Sequence, residues 1–257
     1  TVAGATNQPT LTSDYNGIGG NAYNFDGSDD YIITNIPTST FMGARPFTLS
    51  VWVKPVYNSG TSSGCVFSTR DFEYSGFSLF VHNQYLTNAA SFVIRENPNK
   101  NVDTPSNSIS SNTWVHLTYV HTSSQQKIYL DGKLSVTTNH SLNFTVPMFS
   151  TPTFGREDAS SSAYTYYFSG SIADFRIYNR ALTLSEVKSI YNPAGGNLVV
   201  NNFITGNPDN YPILHYKLDE SSGGVATDSS GNGYDSINFS GQTGGGPTLT
   251  ATGYDSV

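Results

Sequence analysis

The chain has 257 residues, 37% of them hydrophobic and only 12% charged, with a net charge of −7. Twelve Lys and Arg residues spread over that length cannot build the clustered basic groove that nucleic acid requires, and no apolar run approaches the roughly 20 residues that cross a bilayer as a helix. The single cysteine, Cys65, excludes an internal disulfide and reads as a buried, inert thiol in a strand-like Gly-Cys-Val-Phe setting. The 17 Tyr and 15 Phe, among abundant Ser, Thr, Asn and Gly, favour strands joined by polar turns.

Residues 1–20 supply at most one edge strand. Alternation begins at Ala22 and is interrupted by the turn dipeptide Asp26-Gly27. Phe47, Leu49, Val51 and Val53 then alternate with Thr48, Ser50 and Trp52 until Pro55 ends the strand. Further strands are expected at 65–68, 76–81 and 91–95, with a long polar loop over 97–111. The segments 113–121 and 127–130 read as a pair, and Asp131-Gly132 turns the chain into a hairpin over 133–137.

The stretch 168–192 combines two periods. Ile172, Asp174, Arg176 and Tyr178 share one face of an expected strand, and Ala173, Phe175 and Ile177 the other. Leu184, Val187, Ile190 and Tyr191 then recur at helical spacing, and Thr183 stands three residues before Glu186 in a capping-box arrangement. One short helix is therefore expected over 182–191 in a chain that is otherwise all-β.

Four stretches carry a resemblance. They are Asn24-Phe-Asp-Gly-Ser-Asp-Asp-Tyr-Ile32, Phe47-Thr-Leu-Ser-Val-Trp-Val-Lys-Pro55, Trp114-Val-His-Leu-Thr-Tyr-Val120 with Ile128-Tyr-Leu-Asp-Gly-Lys133, and Gly170-Ser-Ile-Ala-Asp-Phe-Arg-Ile-Tyr-Asn-Arg-Ala-Leu182. In that order they resemble the laminin-G-like, concanavalin A-like lectin family. The resemblance implies a two-sheet antiparallel jelly-roll sandwich in which Trp52 and Trp114 are packing residues. It also implies an unusual chain order. Ile213-Leu-His-Tyr-Lys-Leu-Asp-Glu, with Asp228-Ser-Ser-Gly-Asn232, is similar to the opening of such a module, yet it follows the closing signature. Pro9-Thr-Leu-Thr12 recurs as Pro247-Thr-Leu-Thr250. We therefore expect a module over 1–192 lacking its opening strand, a linker over 193–212, and an opening segment over 213–257. That segment completes the same module in cis, completes a neighbouring copy in trans to give head-to-tail chains, or belongs to a longer tandem array.

Catalysis finds no support in the residue pattern. There is no Gly-x-Ser-x-Gly elbow, and His116 reads as a strand residue. Glycoside hydrolysis needs two carboxylates about 5–9.5 Å apart, and no strand carries closely spaced paired acids. Calcium is the better chemical expectation, since it takes about six to eight oxygens and the turn 26–30 carries three carboxylates. The resemblance adds the Asp of the closing strand, so the expected ligands are Asp26, Asp30 and Asp174. Ala173 stands where the family usually has a further Asp. Asp228–Asn232 is a second oxygen-rich loop.

Carbohydrate binding needs aromatic faces beside hydrogen-bonding groups. Two sequence clusters qualify. The first holds Arg70, Asp71, Tyr74 and Tyr85 with Tyr57, Phe72 and Asn83; the second holds Arg156, Glu157, Asp158 and Tyr164 with Tyr166 and Tyr167. The expected function is a non-enzymatic recognition module on a cell or particle surface, binding a glycan or glycoconjugate. The alternative is a structural subunit of a virion fibre, capsid decoration or extracellular filament, linked through strand exchange. Neither nucleic acid nor membrane insertion is expected.

Overall fold

A computed structural model describes residues 8–36, 46–57, 64–70, 76–83, 86–94, 100–140, 152–158, 165–191, 211–220, 225–236 and 238–239. In chain order the strands are β1 (Thr10–Ser13), β2 (Gly19–Asp26), β3 (Ile32–Ile33), β4 (Phe47–Pro55), β5 (Gly64–Ser68), β6 (Phe77–Asn83), β7 (Leu86–Ile94), β8 (Lys100–Asp103) and β9 (Val115–His121). They continue with β10 (Gln125–Leu130), β11 (Lys133–Asn139), β12 (Thr153–Phe154), β13 (Arg156–Asp158), β14 (Thr165–Tyr167), β15 (Ser169–Tyr178), the helix α1 (Leu184–Tyr191), β16 (Leu214–Tyr216) and β17 (Asn238–Phe239). One sheet runs β1-β2-β15-β4-β9-β10-β11 with β16 also on β15; the other runs β17-β3-β12-β5-β6-β7-β8. The small pair β13-β14 stands apart. This is an antiparallel jelly-roll-like sandwich with one short helix.

Alternation dictates what fills the gap between sheets. Leu49, Val51 and Val53 of β4 and Leu117 and Tyr119 of β9 face Phe67, Phe77, Leu79 and Phe92 of the opposite sheet, all buried. Rings interlock across the gap: Phe92 stacks on Tyr119 at 3.5 Å, and Phe154 meets Phe175 edge-on at 4.4 Å. Such ring pairs add about 0.5–1.5 kcal/mol each beyond their burial.

The outer face of the first sheet is covered too. Val120, Tyr129 and Tyr178 pack against Leu182, Val187 and Ile190. The capping box forms as the spacing predicts: Thr183 N donates to Glu186 Oε2 at 2.8 Å and Glu186 N to Thr183 Oγ1 at 3.4 Å. Leu184 departs from the expected stripe. It opens the first turn and is 47% exposed, while Leu182, ahead of the helix, takes the buried place.

Two further expectations are corrected. The loop over 97–111 contains β8, an edge strand that pairs with β7 and buries Val102. In β15 the alternation breaks, because Ala173 and Arg176 oppose the neighbouring residues Trp52 and Ser50 with only Val51 between them. Two residues, Asp174 and Phe175, thus face one, and Asp174 takes φ +48°. This β-bulge puts Ile172 on the same core as Phe175 and Ile177, not with Asp174.

The tail strand lies on the same chain's β15. β2 pairs with Ser169–Ile172, and β16 pairs with Phe175–Ile177 along the same edge. Leu214, Tyr216 and Leu218 are fully buried in the main core. Behind β16, the loop from Asp228 is a hydrogen-bond hub. Asp228 Oδ1 accepts from the amides of His215 and Ser230, and Oδ2 from Tyr234 N and Ser230 Oγ. Its carboxylate is saturated by N–H and O–H donors, so this oxygen-rich loop braces the tail instead of facing a cation. Cys65 is fully buried.

Candidate functional site: an acidic turn beside a small hairpin

The turn between β2 and β3 gathers three carboxylates. Gly27 reverses the chain at φ +81°, where a side chain would also collide with Ser169 at 2.8 Å. Asp26 Oδ1 accepts the amides of Ser28 at 2.7 Å and Asp29 at 3.3 Å, an Asx-type closure. Asp30 Oδ2 accepts Asp26 N at 2.9 Å. Carboxylate oxygens of Asp26, Asp29 and Asp30 lie within 4.8 Å of one another.

This grouping is costly without a counter-charge. Asp30 is 5% exposed, and burial, reinforced by the charges of Asp26 and Asp29, pushes its carboxyl up to about 6. Asp29 Oδ1 is buried and has no hydrogen-bond partner. A hard divalent cation answers both defects, since its oxygen donors are carboxylates, carbonyls and water. Among the described residues this is the one group of acids and histidines close enough to hold a metal ion. Asp29 was the ligand candidate that the resemblance passed over; three acids within five positions of a Gly turn were the available signal.

Asp174 is elsewhere. Ser169 is the residue opposite Asp26, and Asp174 stands five residues further along the strand, about 16 Å at strand rise. Its carboxylate pairs with Arg176, at 2.9 Å and 2.7 Å, and with His215 at 2.7 Å. Burial disfavours its charge, but the guanidinium and the imidazole overcome that and hold the carboxyl well below the usual range. Asp174 therefore braces β16 against β15.

The two expected sugar-binding clusters meet in space through their charges. Arg70, just after β5, forms an ion pair with Glu157 of β13, and both side chains are almost fully buried. A buried, mutually neutralised pair is scaffold rather than ligand surface. Arg156 lies over the Tyr31 ring at 3.6 Å, next to the acidic turn. Gly155 faces the same turn closely: a side chain there would meet Phe25 at 2.5 Å and Asp30 O at 3.0 Å. The backbone of Asp158 belongs to β13, paired with Thr165. Asp71, Tyr74, Tyr85 and Tyr164 lie outside the described residues. Glu157 and Asp174 are each tied to an arginine, a poor setting for acid–base chemistry.

Trp52 is 4% exposed, stacked on Tyr15 at 4.0 Å and covered by Tyr191. Trp114 is half-buried against the same cluster. Both pack, as the resemblance implies.

A family model described as the concanavalin A-like lectin/glucanases superfamily, Laminin_G_3, matches residues 26–188, more than half of the chain. The chain belongs to this superfamily. Among solved structures, a Bacteroides ovatus protein described as carbohydrate-binding aligns with a TM-score of 0.61 at 19% identity. That alignment covers 84% of this chain and 57% of that protein, so the present chain spans little more than half of its length. The CBM40 module of a Ruminococcus gnavus IT-sialidase, bound to α2,3-sialyllactose, aligns at 0.54 and 14% identity over 66% of this chain and 96% of the module. The receptor binding domain of a botulinum neurotoxin C/D mosaic serotype aligns at 0.54 and 19% identity, over 74% of this chain and 47% of that one. The sequence matches no curated protein. At these identities the likeness is one of fold alone.

Proposed function

We propose that this lectin-superfamily chain is a non-enzymatic, extracellular carbohydrate-recognition module that holds a calcium ion in the turn of Asp26, Asp29 and Asp30. The observation that carries the cation is the trio of carboxylates within 4.8 Å, one of them desolvated and one with an orphaned buried oxygen. An all-oxygen donor set selects a hard cation. The carbohydrate reading draws support from superfamily membership and from the sialyllactose-bound module of the same fold. No helix of the described residues is long and apolar enough to cross a membrane. A glycan array probed with and without chelator tests both parts. Binding lost on chelation supports the full reading, chelator-insensitive binding removes the ion from recognition, and uniformly blank arrays sink the carbohydrate reading.

The tail segment acts, in this reading, as the module's own opening strand, supplied in cis as in a circular permutation. The pairing of β16 with β15 favours that arrangement. The alternative keeps the same pairing between chains: the strand offered to a neighbour would string copies head-to-tail in a structural fibre. Size-exclusion chromatography over a concentration series separates them: a constant monomer supports cis, a growing ladder supports exchange.

A further inference from the structure

Two Asn-Gly pairs stand in the chain, Asn16-Gly17 and Asn232-Gly233. In such a pair the glycine nitrogen can close a five-membered ring onto the Asn side chain, because no Cβ obstructs its approach. Both pairs are exposed, and a side-chain carbon at either glycine would meet nothing within 4 Å, so the ring has room at both. Their hydrogen bonds tell them apart. Gly17 N donates to Asp14 O at 3.0 Å and Asn16 N to Asp14 Oδ1 at 2.8 Å, which engages the attacking nitrogen and holds its turn. Gly233 N donates no hydrogen bond among the described residues. Asn232 also lies between two left-handed glycines, Gly231 at φ +89° and Gly233 at φ +74°.

Asn232 is a clasp on the tail. Its Nδ2 donates to Ile213 O at 3.0 Å and to Ser230 Oγ at 3.1 Å. Ile213 is the residue before β16, and its own amide donates to Ile177 O of β15 at 2.7 Å. Ser230 Oγ in turn donates to Asp228 Oδ2 at 2.8 Å, and Asp228 Oδ1 accepts His215 N within β16. A carboxylate at position 232 would donate nothing. It would set negative oxygen against the Ile213 carbonyl, one hydroxyl away from the Asp228 carboxylate.

We propose that Asn232 is a site of spontaneous deamidation, and that its conversion loosens the tail strand from β15. The Gly233 nitrogen gives up its proton and bonds to Asn232 Cγ; the Cγ–Nδ2 bond breaks and ammonia leaves. Water then opens the imide at either carbonyl, leaving aspartate or β-linked isoaspartate at position 232. Water is the only co-reactant. Reaction proceeds when the clasp is open, and the product cannot close it again. The proposal rests on the seating of the tail on its own chain's β15 and is independent of sugar binding.

The test is ageing of the full chain at pH 8 and 37 °C, with peptide mapping for acid and isoaspartate at positions 16 and 232 and hydrogen exchange read at 214–216. Wild type, Asn232→Asp, Asn232→Gln and Asn16→Asp are compared. Position 232 should convert several times faster than position 16. Aged wild type and fresh Asn232→Asp should exchange about tenfold faster at 214–216, the worth of one to two hydrogen bonds. Asn232→Gln closes such a ring far more slowly, so its exchange should not change with age, whatever its starting value. Asn16→Asp should leave 214–216 as in wild type. An amide that persists at 232 while 16 converts would overturn the site. Conversion at 232 with unchanged exchange at 214–216, in aged wild type and in Asn232→Asp alike, would overturn the coupling to the tail. Equal loosening in aged Asn232→Gln would assign the ageing to another residue and overturn the proposal.

Discussion

Asp174 and His215 meet at 2.7 Å across 41 positions of sequence, tying the tail strand to the bulge of the strand it borders. Arg176 completes the group from the other side of the same carboxylate. We expect Asp174→Asn to leave Arg176 short of its counter-charge and to cost about 2–3 kcal/mol, at the low end for such pairs because these side chains remain 14–21% exposed. Chemical denaturation measures the loss, and hydrogen exchange should locate it at 214–216. A variant as stable as wild type would make the bulge self-supporting.

Tyr216 is fully buried, edge-on to Phe154 at 5.7 Å, and its hydroxyl donates to Tyr234 O. Tyr216→Ala should cost about 3–5 kcal/mol, the range for deleting a large core side chain. Such a fall in the denaturation midpoint is expected if the tail belongs to the cooperative core. A shift under about 1 kcal/mol would mean that the tail docks as a dispensable flap.

Asp30 makes the acidic turn sensitive to pH. Its folded carboxyl is raised to about 6, so the cation-free protein holds this group's contribution fully below about pH 4 and loses it as pH rises through 6. Asp30→Asn should flatten that slope. Calcium needs the ionised form, so its affinity should climb from pH 5 to about 6.5 and then level, with protons released on binding at pH 5. Calorimetry in buffers of different ionisation heat reads both. Affinity that is flat between pH 5 and 7.5, or an unaffected Asp30→Asn, would count against the site.

His116 has the opposite sign. Buried beneath Trp52, with Nε2 at 2.8 Å from Ser50 Oγ, it stays neutral because burial lowers its pKa to about 3; His121, also buried, falls to about 4. The unfolded chain protonates both near 6.5. Their contribution is therefore complete above that pH and declines as pH falls toward 4 and 3, at up to about 1.4 kcal/mol per pH unit for each. Urea midpoints at pH 7, 6, 5 and 4 should trace this decline, and His116→Gln should make it shallower. An unchanged slope in the variant would assign acid sensitivity to other groups.

Local patterns carried much of the architecture into view. The alternation of β4, the hairpin at Asp131-Gly132 and the capping box of α1 each depend on residues within a few positions, and periodicity and turn chemistry report such things directly. The bulge at Asp174 does not, because a left-handed Asp is set by what lies on both sides of the strand: Trp52 and Ser50 on one edge, Lys217 and Tyr216 on the other. The same limit governs the site. Asp26 and Asp30 sit in one turn and were legible; Arg70 and Glu157, 87 positions apart, were assigned to different surfaces when each is the other's counter-ion. Asp174 was drawn to the turn by a family pattern, and strand register places it beyond reach.

The divided edge of β15 has a consequence for how the molecule is made. Its first half pairs with Tyr23–Asp26 and its second half with Leu214–Tyr216, so the first half-ladder cannot close until Ile172 has left the ribosome, nor the second until Tyr216 has. Contacts spanning nearly 150 residues on one flank fall in the slow, high-contact-order regime, and the backbone edge at Phe175–Ile177 lies open until Tyr216 is made. The nascent chain should therefore lean on holding chaperones until Tyr216 emerges.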